Sequence, residues 1–483
     1  MYNGTWSTNG KTITTTGSID TAAGTKTLNL GASILNCATF TSNDATNTPN
    51  LTVTSTTSTI NCSTAYYSSP YATQATYNVN VTGGYVYLGT TNNTFNNFTF
   101  APTVSKIGEL LIRNGKNFTV TGLLTLTGNT ESGRLYIHAE TTLSPRTITA
   151  ANVMVSNVNF RDITGAGAGN WNLSSSNSGN RGGNTGITFT TGATQYYKHT
   201  SGACNWSDGT KWFTATNGGG SVGRIPLPQD DAIFDVNSFS GASNLTLNNT
   251  QLGRDFNLTD IGVALTITLV NDTYSFGSYL GSNNMTWSGA WGHFLDGFGT
   301  HTINTFNKSF YRFGQTYSGT YTLMSNITNT YATYSSYGIL DLNDFDVDTF
   351  YFANNTNKLY MGNGTITLRA SNLFSWQTYT STVYCEGSTL KLNSVAAISN
   401  IAFMGNGQTY NKLWLFGILP STFSYVLGNT VAVPYSDRFN EIIIEPGVKV
   451  GVILRHQLQT VMQCVSFPFI ILLLLPLLVL LVG

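Results

Sequence analysis

The sequence predicts an all-β protein, a parallel β-helix or related β-solenoid in two similar modules, followed by a hydrophobic C-terminal tail. Three observations predict it. Helical periodicity is nearly absent before residue 450, short apolar–polar alternations recur between Gly- and Asn-rich turns, and a short motif returns at spacings that suit a coil. Tandem β-sandwiches with Asn-rich hairpins are the alternative, and the repeat spacing favours the solenoid.

The alternation is visible in Thr12-Ile13-Thr14, Leu51-Thr52-Val53 and Leu245-Thr246-Leu247. The recurring motif is Thr or Arg, an aromatic residue, then Asn. Its copies are Thr76-Tyr77-Asn78, Thr94-Phe95-Asn96, Thr305-Phe306-Asn307, Thr409-Tyr410-Asn411 and Arg438-Phe439-Asn440. The first two are 18 residues apart and the last two 29, which suits coils of unequal length. The pattern predicts that the aromatic residues stack inward from coil to coil. The Asn residues are expected at turns, hydrogen-bonded to their coil neighbours as a ladder.

A longer echo supports two modules. Gly4-Thr5-Trp6-Ser7-Thr8-Asn9 resembles Gly338-Ile339-Leu340-Asp341-Leu342-Asn343. Leu28-Asn29-Leu30-Gly31 matches Leu359-Tyr360-Met361-Gly362, and Ser58-Thr59-Ile60 matches Ser388-Thr389-Leu390. The predicted organisation is a first solenoid module over 1–193, a Trp/Gly/Pro/Asp-rich segment over 194–235, a second module over 236–452 and a tail over 453–483.

Composition narrows the function. Charged residues make up 9% of the chain, against about 25% in ordinary soluble domains. Lys plus Arg balance Asp plus Glu at 22 each, so the surplus of cations that nucleic acid demands is missing. With 25 Tyr and 27 Phe the chain has ample apolar material for a core, spread in thin slices. The cysteines Cys37, Cys62, Cys204, Cys385 and Cys464 form no C-x-x-C pair, which argues against a zinc or redox motif. Cys37 and Cys62 are 25 residues apart, close to one coil, and are expected to stack or to stand as isolated buried thiols.

The segment between the modules reads Gly202-Ala203-Cys204-Asn205-Trp206-Ser207-Asp208, then Lys211-Trp212, Gly218-Gly219-Gly220, Pro226, Pro228, Asp230, Asp231, Phe234 and Asp235. This pattern resembles a segment of large bacterial secreted repeat proteins of the autotransporter and adhesin kind. Val158-Asn159-Phe160-Arg161-Asp162-Ile163-Thr164-Gly165 and Gly182-Gly183-Asn184-Thr185-Gly186-Ile187-Thr188-Phe189 resemble a module of uncharacterised environmental bacterial and phage β-solenoid proteins. The resemblance implies a surface or virion repeat protein, at the cell surface or on a virion, whose partners are surface glycans or a host-cell surface.

Both ends are informative as sequence. Met1 to Gly10 lacks the basic and apolar stretches of a signal peptide and reads like the middle of a repeat. Val465 to Val482 carries no charge, just reaches transmembrane length, and is expected to be a membrane anchor if genuine. The abrupt change of composition after Val452 supports a second reading, a frameshift product.

Chemistry is sparse. An Asp cluster at Asp230, Asp231 and Asp235 reads as a cap or turn. Asp344, Asp346 and Asp348, placed on one strand face, are a weak Ca²⁺ candidate against a solvated outer face. Trp206 and Trp212 are candidates for stacking on a glycan, with a core role as the alternative. The histidines His138, His199, His293, His301 and His456 are scattered, and no H-E-x-x-H, G-x-S-x-G or P-loop pattern occurs. No catalytic residue and no cofactor are expected. The reading is a non-enzymatic extracellular structural or adhesive repeat protein. The alternatives are a phage tail-fibre or virion adhesion protein, trimeric in that case, and a carbohydrate-active β-helix enzyme.

Overall fold

The computed structural model describes residues 4–20, 26–42, 51–55, 57–67, 71–73, 77–89, 92–103, 108–355, 358–369, 374–378, 382–393, 401–405, 407–417, 425–427, 437–448, 450–452 and 462–464. Short strands pair in parallel with the strand one coil away, making a β-solenoid of about 15 turns. The chain divides into two compact units. One is Met1–Ala193 with Arg224–Asp230; the other is Thr194–Gly223 with Asp231–Gly483. The 194–235 segment, expected between two modules, is thus shared out. Its Trp-rich part opens the second unit, and its Arg-Ile-Pro-Leu-Pro-Gln-Asp stretch belongs to the first.

In the first unit the described strands form a 14-stranded and a 4-stranded sheet. Alternation decides what faces inward. In Asn78–Leu88, Val79, Val81, Val86 and Leu88 are all 0% exposed, while Asn80, Tyr85 and Tyr87 face out. Inward residues sit in register on their counterparts: Leu35 on Ile60, Ile60 on Val79, Val79 on Phe98. Cys37 lies in register with Cys62, and both are buried free thiols. Coil length varies, with registered side chains 22, 25 and 19 residues apart at the Thr14–Asn36, Asn36–Asn61 and Asn61–Asn80 steps.

Those steps form an amide ladder on outward strand positions, made by Asn residues other than those of the recurring motif. Asn36 Nδ2 donates to Thr14 Oγ1 at 3.1 Å, Asn61 Nδ2 to Asn36 Oδ1 at 2.8 Å and Asn80 Nδ2 to Asn61 Oδ1 at 2.8 Å. A flat sheet of identical coils presents each primary amide with another one strand spacing away, so donor meets acceptor along the stack. Asn61 both gives and receives. Asn61→Ala is therefore expected to cost about 1–2 kcal/mol, two net hydrogen bonds at a half-exposed site. Urea midpoints for the full chain check this, and an unchanged midpoint would remove the ladder as a source of stability.

In four motif copies the aromatic residue is buried, but Asn78, Asn411 and Asn440 lie in strands and not at turns as expected. Tyr77 and Phe95 are buried with centroids 5.6 Å apart, and Asn96 Nδ2 donates to Asn78 Oδ1 at 3.1 Å. Tyr410 and Phe439 are in register and stacked at 5.5 Å, with Asn440 Nδ2 3.5 Å from Asn411 Oδ1. The third copy is a correction. Phe306 and Asn307 adopt left-handed backbone, φ 52° and 56°, so Phe306 sits in a turn at the surface. Phe310 supplies the buried ring instead.

The second unit contains 11-, 4- and 15-stranded sheets among its described strands. Its turns use a related device. Asn307 Oδ1 accepts the backbone N–H of Asn326, Asn326 Oδ1 that of Asp346, and Asp346 Oδ1 that of Thr365, at steps of 19, 20 and 19 residues. Each side chain thereby satisfies a turn N–H of the next coil. The longer echo has a structural counterpart: Leu28, Leu30, Leu359 and Met361 are 0% exposed, and Gly31 and Gly362 close their turns at φ 56° and 59°. Such angles strain any side chain bearing Cβ.

Of the hydrophobic tail, only Met462–Cys464 is described; it pairs in parallel with Ile442–Ile444. The run from 465 onward lies outside the described residues. Among those described, no helix is long and apolar enough to cross a membrane.

Candidate functional site on the outer face of the first unit

The expected site residues are mostly committed to the fold. Trp206 and Trp212 are both 0% exposed, their rings 4.6 Å apart, with Trp212 Nε1 donating to the Trp206 carbonyl at 2.9 Å. Neither ring is available to a glycan. They pack with Tyr197, Phe234 and Phe256 at the start of the second unit; the core supplies a carbonyl to the Trp212 N–H and none to that of Trp206.

The carboxylate clusters are likewise spoken for. Asp230 is fully buried in the first unit, held by Arg224 and two backbone N–H groups. Asp231 pairs with Arg254 at 2.7 and 2.8 Å, and Asp235 accepts from Asn237 N at 2.9 Å and from Thr216 Oγ1. Asp344, Asp346 and Asp348 do not share a strand face. Asp344 is in a left-handed turn with φ 64° and accepts Asn363 N at 2.7 Å, Asp346 caps Thr365 N, and only Asp348 lies in a strand, paired with Arg369. Among the described residues no three His, Cys, Asp or Glu side chains are grouped to hold a metal ion. His293 is buried in the core of the second unit, whereas His301 bonds the Phe298 carbonyl at 3.0 Å.

The densest unassigned chemistry lies on the outer face of the large sheet in the first unit. Strands Thr59–Tyr67, Asn78–Leu88, Gly108–Ile112, Leu135–Ala139 and Val158–Arg161 pair in register. Their inward column is Ala65, Val86, Leu110, Ile137 and Phe160, each 0% exposed. Two outward columns flank it. One runs Thr64, Tyr85, Glu109, Tyr136, Asn159; the other runs Tyr66, Tyr87, Leu111, His138, Arg161. Adjacent coils therefore hold these side chains one strand spacing apart, in a fixed grid.

The grid has two ends. At one end Tyr66 packs on Tyr85 and Tyr87 at 5.5 and 6.4 Å, and remains 36% exposed. At the other, Tyr136 and His138 stack at 4.2 Å, with the Arg181 guanidinium 3.9 Å and that of Arg161 5.5 Å from the Tyr136 ring centre. Glu109 joins the halves through a 2.6 Å bond to His138 Nε2.

The protonation states follow from this packing. The hydrogen bond from His138 holds the Glu109 carboxyl below its usual range, against its partial burial. Burial pushes the His138 imidazole down, against the pull of Glu109. His138 thus lies between acceptors, with Nε2 2.6 Å from Glu109 Oε1 and Nδ1 2.9 Å from the Ala139 carbonyl, while Arg161 Nη2 stands 3.2 Å from Nδ1. Burial, and then the Glu109 charge, push the Tyr85 phenol up to about 12, so it stays a donor.

This arrangement offers the exposed Tyr66 ring, the partly exposed Tyr85 and Tyr87 rings and the partly exposed Glu109 side chain, whereas His138, Asn159 and Arg181 are buried beneath it. The sequence singled out only His138, as one of several scattered histidines, and Asn159 and Arg161, as part of the 158–165 resemblance. The signal was present in the outward–inward–outward triplets Tyr85-Val86-Tyr87, Tyr136-Ile137-His138 and Asn159-Phe160-Arg161. Compared with protein-family models, with curated proteins and with solved structures, the chain matches none.

Proposed function

We propose that the protein is a non-enzymatic, extracellular structural and adhesive scaffold whose outer face contacts surface glycans. The observation that carries this reading is the registered grid from Tyr66 to Arg181. Its rings and polar groups repeat at strand spacing along the coils, a layout that suits a chain of sugars better than a single small molecule. The carboxylates on this face are engaged, Glu109 with His138 and Glu140 with Arg113 and the Asn114 N–H, which favours binding over acid–base chemistry. The resemblance of the 194–235 segment to secreted adhesins points the same way.

The test is retention of the full chain on immobilised neutral and acidic polysaccharides, with assay of the eluate for cleavage products. The expected result is binding without product, weakened at least tenfold in a Tyr66→Ala, Tyr87→Ala double variant. Both residues are outward-facing, so the core is untouched. Release of reducing ends or of unsaturated sugars by the pure protein would overturn the reading in favour of an enzyme.

A further inference from the structure

The second unit contains a cleft of about 220 Å³ where its 4-stranded sheet ends. Met285–Ser288 is the last strand of that sheet and pairs with Leu265–Leu269 on one side. The next coil does not continue the ladder on its other side. It turns left-handed at Phe306 and Asn307, and the following strand, Ser309–Gln315, pairs instead with Gly292–Leu295 and Ile327–Ser336. A rung of the solenoid is missing there, and the cleft occupies its place.

The walls are chemically mixed. Trp287 is half-buried, its position fixed by Nε1 donating to Tyr279 Oη at 3.1 Å and by Phe310 at 5.2 Å and His293 at 5.5 Å. Lys308 is held at the rim by a 2.7 Å bond from Nζ to the Asn283 carbonyl, which leaves two of its protons free to donate. Thr286 and Ser309 also line the cleft and both are exposed, the Thr286 side chain on the strand face opposite Trp287. Beyond the mouth, Tyr311 stacks on Tyr331 at 5.2 Å and 13°, and Tyr331 is 47% exposed.

We propose that this cleft binds one pyranose ring of a glycan chain, with its C–H face on Trp287 and its hydroxyls on Ser309 and Lys308, the chain running on over Tyr311 and Tyr331. A pre-positioned indole beside a hydroxyl and an ammonium meets what a sugar presents, an apolar face edged by donors and acceptors. The inference deepens the glycan-contact reading, and rests on it, but uses different residues in the other unit.

The experiment is saturation-transfer NMR and calorimetry on the full chain with tetrasaccharides of glucose, galactose, mannose and N-acetylglucosamine. Two cleft variants are compared: Trp287→Ala, which removes the platform, and Ser309→Trp, which fills the cleft from an exposed position and leaves the core alone. Binding of at least one tetrasaccharide, weakened tenfold or more by both variants and unchanged in the Tyr66→Ala, Tyr87→Ala protein, is the expected result. Binding lost in the Tyr66→Ala, Tyr87→Ala protein but kept in the cleft variants would overturn the cleft and spare the outer-face reading. No binding of any tetrasaccharide, together with no retention on the polysaccharides, would overturn both.

Discussion

Replacing Asp230 with alanine is expected to destabilise the first unit by about 3–5 kcal/mol. The side chain is 0% exposed, and its two oxygens accept four hydrogen bonds. Arg224 Nε and Nη2 donate at 2.9 and 2.7 Å, and the backbone N–H groups of Leu227 and Ala193 both at 2.8 Å. The carboxylate thus ties the Arg224–Asp230 stretch to the end of the last coil of that unit. Gln229 adds bonds to the Ser178 and Thr190 carbonyls at 3.0 and 2.8 Å. Removing the carboxylate leaves a guanidinium and two amides without their acceptor. Asp230→Asn keeps the shape but turns one acceptor into a donor facing N–H groups, and should fall between wild type and alanine. Hydrogen-exchange mass spectrometry of peptides from 178–193, with urea midpoints for the full chain, measures the effect. Unaltered protection there would show that the segment is held by Gln229 and its buried apolar side chains without the carboxylate.

The second large effect concerns acid. His293 is buried among Phe256, Tyr279, Trp287 and Phe313, with Thr273 Oγ1 3.0 Å from Nδ1 and Ser275 Oγ 3.2 Å from Nε2. Burial drives its imidazole down to about 3. The unfolded chain takes up the proton at the ordinary value near 6.5, whereas the folded chain refuses it until about 3. The stability His293 permits is therefore fully present above pH 6.5 and is lost as the pH falls toward 3, by roughly 5 kcal/mol over the whole window. His138 and His301 are pushed the same way by burial and add to the slope, so a difference measurement isolates His293. Between pH 6.5 and 4.5 the wild type should lose about 2–3 kcal/mol more than His293→Gln, which bonds the same hydroxyls without titrating. Equal slopes in urea titrations at the two pH values would mean that the folded protein accommodates the charge.

What the sequence made legible was the interior. Alternation alone identifies Val79, Val81, Ile60 and Phe98 as inward residues, because a parallel solenoid buries every second side chain of each strand. Asn bonding from coil to coil was legible in the motif, since a recurring Asn at coil spacing has another Asn to bond, but the ladder through Asn36, Asn61 and Asn80 was not. What stayed hidden was which face an aromatic or acidic residue takes when composition gives no hint. Tyr66 and Tyr67 are neighbours, one 36% and the other 0% exposed. Asp230 and Asp231 are neighbours too, the first buried on Arg224 and the second partly exposed on Arg254. The third motif copy failed because a left-handed turn at Phe306 shifts which ring enters the core. The outer-face grid was missed because its members lie in five separate coils and meet only after folding, each in an ordinary-looking triplet.

The side chains that reach one coil ahead, from Asn307 to Asn326 to Asp346 to Thr365, bear on how such a protein can change its length over generations. At these three junctions the device is the same, an Asx oxygen of one coil meeting a backbone amide of the next. A duplicated coil thus arrives with both of its partners already in place, and a deleted one leaves two surfaces that still fit each other. Growth and shrinkage by whole coils are nearly neutral for stability, while a one-residue insertion within a strand reverses every side chain that follows.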